Sequence, residues 1–147
     1  MIEFKASTAE DQPRIISWVL QDPFHVDQGI QASEGWWLTN APGSLLVGRV
    51  DDEHGPAMYF RLDPEKDCLI RLSIQFAPME EVGKLRVARL IAKGMPVLIQ
   101  KAKEAGAKGF VFESQSPALG AFMARYGFRP MPGKENIDDY ICMFEEK

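Results

Sequence analysis

An α/β domain with a mixed, mostly antiparallel central sheet and helices on both faces is the fold class this sequence predicts. Three observations lead there. The order of local signals along the chain is strand, helix, irregular stretch, three strands, helix, strand, helix, strand, which folds most simply as one sheet covered on both sides. The segment Cys68 to Phe76 alternates strictly, with Cys68, Ile70, Leu72, Ile74 and Phe76 on one face and Leu69, Arg71, Ser73 and Gln75 on the other, the period-two mark of a strand. Finally, 147 residues with 46% hydrophobic and 26% charged content suit one domain with one sizeable core. No repeat, low-complexity run or linker divides residues 1–147.

The elements follow in order. Ile2 to Ala6 alternates and reads as a strand. Ser7-Thr8-Ala9-Glu10 fits a capping box opening a helix whose apolar stripe is Ile15, Ile16, Val19 and Leu20, and Asp22-Pro23 ends it. Phe24 to Gly43, with His25, Trp36, Trp37, Asn40 and Pro42, is irregular. Ser44 to Val50 and Ala57 to Leu62 are strands joined by the turn Asp51–Gly55. After the Cys68–Phe76 strand, Ala77 to Lys93 has charges spaced by apolar residues, compatible with helix but interrupted by Gly94 and Pro96. Val97 to Ala105 is a helix stopped by Gly106. Phe110 to Phe112 is a short buried strand. Pro117 to Tyr126 is a helix with Leu119, Phe122, Met123 and Tyr126 on one face and Gly127 as its cap. Ile137 to Phe144 is the last strand.

Composition excludes several classes of function. A net charge of -4 gives no general attraction to nucleic acid or anionic membrane, and the charges of Lys84 to Lys93 do not share one helical face, so neither partner is expected. Cys68 and Cys142, both in apolar strand-like segments, read as core residues of a reducing compartment. There is no signal-peptide pattern and no apolar run of membrane-spanning length, so a cytoplasmic protein is expected. No His/Cys cluster has zinc-ligand spacing, so no metal is expected, and no nucleophile elbow, Walker loop or dinucleotide fingerprint occurs.

The element order resembles the acetyl-CoA-dependent N-acetyltransferase (GNAT) superfamily over essentially the whole chain. The opening Phe4-Lys5-Ala6-Ser7-Thr8-Ala9-Glu10-Asp11 is similar to that family's first strand and helix start. The ending Ala121-Phe122-Met123-Ala124-Arg125-Tyr126-Gly127-Phe128 is similar to its helix closing on a Gly-Phe pair. Arg89-Leu90-Ile91-Ala92-Lys93-Gly94 is similar to the Arg/Gln-x-x-Gly-x-Gly/Ala loop that cradles the coenzyme A pyrophosphate, with Ala92 where the first glycine is preferred. A glycine loop feeding a helix start offers unpaired N–H groups and a favourable dipole to a phosphate, and Arg89 and Lys93 would add charge.

The resemblance implies acetyl-CoA as co-substrate and a small-molecule or protein amine as acceptor. It implies coenzyme contacts at Ser73, Ile74 and Gln75 of the strong strand, at Arg89, Ala92, Lys93, Gly94 and Met95 of the loop, and at Ser116, where the family often has an asparagine. It is also compatible with a sheet-edge homodimer. Amine acetylation needs a base for the amine, a donor for the oxyanion and an acid for the departing thiolate. Glu113, at the carboxyl end of a strand, is the candidate base. The family's acid, a tyrosine four residues before Gly127, is replaced by Met123, which leaves Tyr126 as the nearest phenol. His25, Trp36 and Trp37 lie where the family builds its acceptor site, and paired tryptophans suit an amine through cation–π contact. The alternative is a GNAT-fold module without catalysis, serving in binding or assembly as some small bacteriophage-encoded proteins of this kind do. Met123, Ala92 and Pro96 motivate it.

Overall fold

A computed structural model describes residues 2–21, 33, 35–113, 122–130 and 139–144, with backbone only at 79–82, 84, 113, 130 and 139. The strands are β1 (Glu3–Lys5), β2 (Leu46–Asp52), β3 (Gly55–Pro64), β4 (Leu69–Phe76), β5 (Gly109–Glu113), β6 (Arg129–Pro130) and β7 (Asp139–Met143). The helices are α1 (Gln12–Gln21) and α2 (Met79–Glu104), and short 3₁₀ turns occupy Ala9–Asp11, Lys66–Cys68 and Ala124–Tyr126. The strands form one sheet in the order β1-β2-β3-β4-β5-β7-β6. Neighbours are antiparallel except β4 and β5, which run parallel with α2 as their crossover. This is the expected mixed, mostly antiparallel sheet.

Alternation along β3 sorts the core into two layers. Tyr59 points to one face, where the Trp18 ring of α1 meets it at 5.3 Å. Met58 and Phe60 point to the other, where Phe4 meets Phe60 at 5.7 Å and Gly94 of α2 lies closest to Phe4 and Met58. The two helices therefore cover opposite faces, and Ile15, Val19, Leu90, Ile91, Met95 and Leu98 are buried between helix and sheet.

Four local expectations are corrected. The capping box lies one residue later than read, on Thr8 and Asp11: the Thr8 N–H donates to Asp11 Oδ2 at 2.8 Å. The buried stripe of α1 is Ile15, Trp18 and Val19, while Leu20 is 60% exposed, because the helix turns its i, i+3, i+4 face onto Tyr59. Cys68 is exposed, since it precedes β4 in a turn where it and Asp67 have left-handed backbones; Cys142 is buried, and both thiols are free. Gln75, on the polar face of β4, is 2% exposed because its register partner is Tyr59, beneath α1.

Candidate functional site

The parallel ladder between β4 and β5 runs from Leu69 opposite Gly109 to Leu72 opposite Phe112, and stops there. β4 continues through Ser73, Ile74, Gln75 and Phe76 with its register partners on the β3 side alone among the described residues. β5 ends one residue later at Glu113, whose register partner on the far side is Asp139 of β7. Among the described residues the two strands thus part company in mid-sheet, and the second half of β4 has no strand along its β5-side edge. Ser73 and Ile74 are half-buried along that edge.

The chain leaves this edge directly into a helix. The Ala77 N–H donates to the Ala57 carbonyl at 3.1 Å, Pro78 occupies the N-cap position, and α2 begins at Met79. At Gly83 the backbone takes φ 72° and ψ 162°, a conformation essentially reserved for glycine, before the helix resumes. A Cβ at Gly83 would meet nothing within 4 Å, so its role is conformational and the space beside it is open. A helical segment that restarts in this way presents first-turn N–H groups without an in-line acceptor.

The expected Arg89–Gly94 loop is corrected to helix. Arg89 to Met95 lies inside α2, which runs uninterrupted to Glu104, so its amides serve the helix ladder and cannot form a helix-start cradle. The N–H lost at Pro96 leaves the carbonyl of Ala92, and both residues are on the exposed side where water can replace the bond. Gly94 and Met95 are buried against the sheet, whereas Arg89, Ala92 and Lys93 are exposed. A Cβ at Gly94 would sit 3.8 Å from Phe4 Cζ and 4.0 Å from Met58 Cε, which is ordinary contact. Gly94→Ala should accordingly raise stability by about 0.5–1 kcal/mol, the helix-propensity difference, and leave coenzyme A affinity unchanged by calorimetry. A large loss of affinity would restore the Arg89–Gly94 loop.

Sequence reasoning missed two features of the turn. Gly83 was one, although a Pro directly after a strand is itself a helix-start signal. The other is an ion pair across 34 residues: Arg86 Nη2 donates to Asp52 Oδ1 at 2.6 Å and Arg86 Nε donates to Oδ2. The Asp52 side chain is 6% exposed. The Arg86 hydrogen bonds hold its carboxyl below the ordinary carboxylate value against the opposing effect of burial, and the His54 N–H at 2.9 Å adds to them. His54 itself is exposed.

On the α1 face, Trp36 and Trp37 meet edge to face at 4.6 Å, with Trp37 1% exposed. Trp36 already carries a cation from the chain itself: the Arg61 guanidinium lies 4.4 Å from its ring. Arg61 also donates to the Trp36 and Pro42 carbonyls at 2.8 and 3.1 Å and pairs with Asp63. The tryptophan pair is therefore a fastening of the 35–44 segment onto β3, with this face of Trp36 used internally. Ser7 Oγ, donating to the Trp37 carbonyl at 2.5 Å, and Thr39, donating to the Ser7 carbonyl, fasten the same segment to the end of β1. His25 lies outside the described residues.

Of the proposed catalytic residues, Glu113 is placed by its backbone at the point where β4 and β5 separate. Tyr126 is half-buried in the turn before Gly127, its ring 5.9 Å from Phe122, and its carbonyl accepts from Cys142 Sγ at 3.3 Å. Cys142 is the register partner of Phe110, so the Tyr126 backbone meets β7 at the level of Phe110, about three residues, or roughly 10 Å along the strand, from the level of Glu113. Met123 is fully buried. Ser116 and residues 117–121 lie outside the described residues. Among the described residues no group of three His, Cys, Asp or Glu could hold a metal, and no helix is long and apolar enough to cross a membrane.

No family model and no curated protein sequence matches the chain. Solved structures do. A GNAT-family acetyltransferase from Staphylococcus aureus Mu50 superposes with a TM-score of 0.73 at 13% identity, covering 99% of this chain and 100% of that one. The PaiA N-acetyltransferase of Thermoplasma acidophilum, solved with coenzyme A, gives 0.65 at 15% identity over 98% and 99% of the two chains. A GNAT-family acetyltransferase of Brucella melitensis, solved with acetyl-CoA, gives 0.59 at 14% over 99% and 90%. From its first strand to its last, this chain has the GNAT fold.

Proposed function

We propose that the protein is an acetyl-CoA-dependent N-acetyltransferase acting on a small-molecule or protein amine. The observation that carries this reading is the open second half of β4, Ser73 to Phe76, leading into the glycine-broken start of α2 at Gly83. An extended pantetheine chain carries amides that can pair with a strand edge in the manner of an added strand. A pyrophosphate at its far end suits first-turn N–H groups. The edge and the turn are consecutive in sequence, so they fit one ligand with these two parts, and the coenzyme would supply the acyl group. Two solved structures of the same fold, those from Thermoplasma and Brucella, contain coenzyme A and acetyl-CoA.

In this reading the backbone of β4 near Ser73 and Ile74 donates to the thioester oxygen as charge develops on it. Glu113 accepts the proton of the attacking amine, and Tyr126 is the phenol closest in sequence to the family's acid position. Acetyl-CoA as co-substrate, together with an exposed free thiol at Cys68, fits a reducing compartment, the cytoplasm. A second reading, a GNAT-fold binding module without catalysis, is favoured by one observation: Met123, at the tyrosine position, is sealed in the core and donates no proton.

Saturating acetyl-CoA should raise the melting temperature, with a shift that grows with ligand concentration. Thiol release across a panel of amines then separates the readings. Binding with release supports the transferase, binding without release on any amine supports the module, and no thermal shift at all removes acetyl-CoA from both.

A further inference from the structure

We infer that Asp52 and Arg86 are positioning residues for coenzyme A, their ion pair being the tether that holds the phosphate-binding turn of α2 against the sheet. The inference rests on the acetyl-CoA reading above and concerns how the turn is kept in register with the open edge of β4. Among the described side chains the turn has little else to hold it. Ala77 is 5% exposed and Val87 9% exposed, but among the described side chains between them none is buried in the core: Leu85 is 74% exposed, Pro78 is half-buried, and Gly83 has no side chain. Arg86 is the exception in kind. Its side chain is 18% exposed and reaches that of Asp52, which is 6% exposed.

The geometry of the pair suits a tether. Two parallel N–H···O bonds, from Nε to Oδ2 and from Nη2 to Oδ1, fix the orientation as well as the position of the guanidinium, which a single contact would not. The acceptor is fixed in turn, because Asp52 sits at the end of β2 and its Oδ1 also takes the His54 N–H of the β2–β3 turn. The rigid end of a hairpin thus grips the first turn after Gly83. Backbone donors serve a phosphate only when held to within about an ångström of place. With Arg86 engaged by Asp52, the charge serves location, and phosphate recognition falls to the backbone amides beside Gly83.

The test uses the full chain carrying Asp52→Asn, Arg86→Gln or Arg86→Lys. Amide hydrogen exchange of the unliganded proteins reads the tether directly. Asp52→Asn and Arg86→Gln should speed exchange at residues 87–89, whose amides bond back to the carbonyls of the turn at Gly83, by about tenfold while residues 94–98 stay as in the parent. Coenzyme A affinity by calorimetry should fall by about tenfold in the same two variants, with partial recovery in Arg86→Lys, which keeps the charge but not the fork. Unchanged exchange at 87–89 would overturn the tether, as would faster exchange along all of α2, the mark of general stabilisation. Tighter coenzyme A binding by Asp52→Asn would also overturn it, because Arg86 would then be a phosphate ligand restrained by Asp52. Failure of the parent protein to bind coenzyme A would instead sink the acetyl-CoA reading, and with it the positioning role, even where exchange shows that the pair holds the turn.

Discussion

Replacing Asp11 by alanine should lower the unfolding free energy by about 3–5 kcal/mol, the scale for removing one partner from a buried, hydrogen-bonded charge cluster. Asp11 is 1% exposed and accepts from four groups: Tyr59 Oη at 2.5 Å, Arg49 Nη1 at 2.8 Å, Arg14 Nη1 at 3.1 Å and the Thr8 N–H at 2.8 Å. These donors come from β2, β3, α1 and the turn before it, so one carboxylate joins the start of the helix to the sheet. Without it, the buried Tyr59 hydroxyl loses its acceptor and Arg49 keeps only Asp51, and an unsatisfied buried group retains its desolvation penalty. Asp11→Asn preserves shape and one acceptor oxygen and should lose less. Urea unfolding of both variants checks this, and a loss below about 1 kcal/mol for alanine would show that the cluster does not fasten α1.

The same carboxylate sets a pH dependence. Burial alone would raise the Asp11 pKa, but the hydrogen bonds from Tyr59, Thr8 and Arg49 outweigh it and the value lies below its ordinary 3.8. Because the folded state holds the charged form more tightly than the unfolded state does, this contribution is complete above the ordinary value. It is lost as pH falls from there through the lower, folded-state value. The stability gap between the parent and Asp11→Asn should therefore be constant near neutrality and shrink in strong acid. Tyr59 responds in the opposite direction: burial, then its hydrogen bond to Asp11, push the phenol well above its usual range, so it stays a donor throughout.

Glu113→Gln should reduce kcat by about 10²–10⁴-fold, the usual contribution of a positioned general base, with little change in the KM for acetyl-CoA. The expectation rests on the place of Glu113 in the sheet. It is the residue after the last β4–β5 register pair, at the level where β4 continues without a β5 partner among the described residues. Strand ends at such separations are where α/β sheets bind substrates. Asp139, its register partner on β7, brings a second carboxylate-bearing residue to the same end and is the natural control. Thiol release with an accepted amine measures both. A normal rate in Glu113→Gln with a depressed one in Asp139→Asn would transfer the role to β7, and normal rates in both would leave the amine to lose its proton to water.

Much of the fold was legible because its signals are local. β4 showed itself through nine alternating residues, the helix start near Thr8 through its capping residues, and Gly106 and Gly127 as stops, which they are with φ of 87° and 92°. β6 was not legible, since two residues carry no period. The segment Arg89 to Gly94 reads as a loop but is helix, for a physical reason. An arginine, a lysine and a glycine at suggestive spacing match a loop pattern, but the same residues fit a helix when the glycine faces the sheet, as Gly94 does. Pattern alone does not distinguish a glycine kept for its backbone angles from one that faces the sheet with room for a methyl group.

By itself the sequence determined the order of elements, the mixed sheet and the two-sided helical cover, because hydrophobic period and turn chemistry act over a few residues and local preference agrees with the final fold. Only the tertiary structure decided where β4 and β5 separate, that Gly83 and not Gly94 makes the turn, that Arg61 occupies the Trp36 ring, and that Asp52 reaches Arg86. Each of these is a pairing between residues far apart in the chain. Such pairings depend on register and crossover geometry, which no local window of sequence contains.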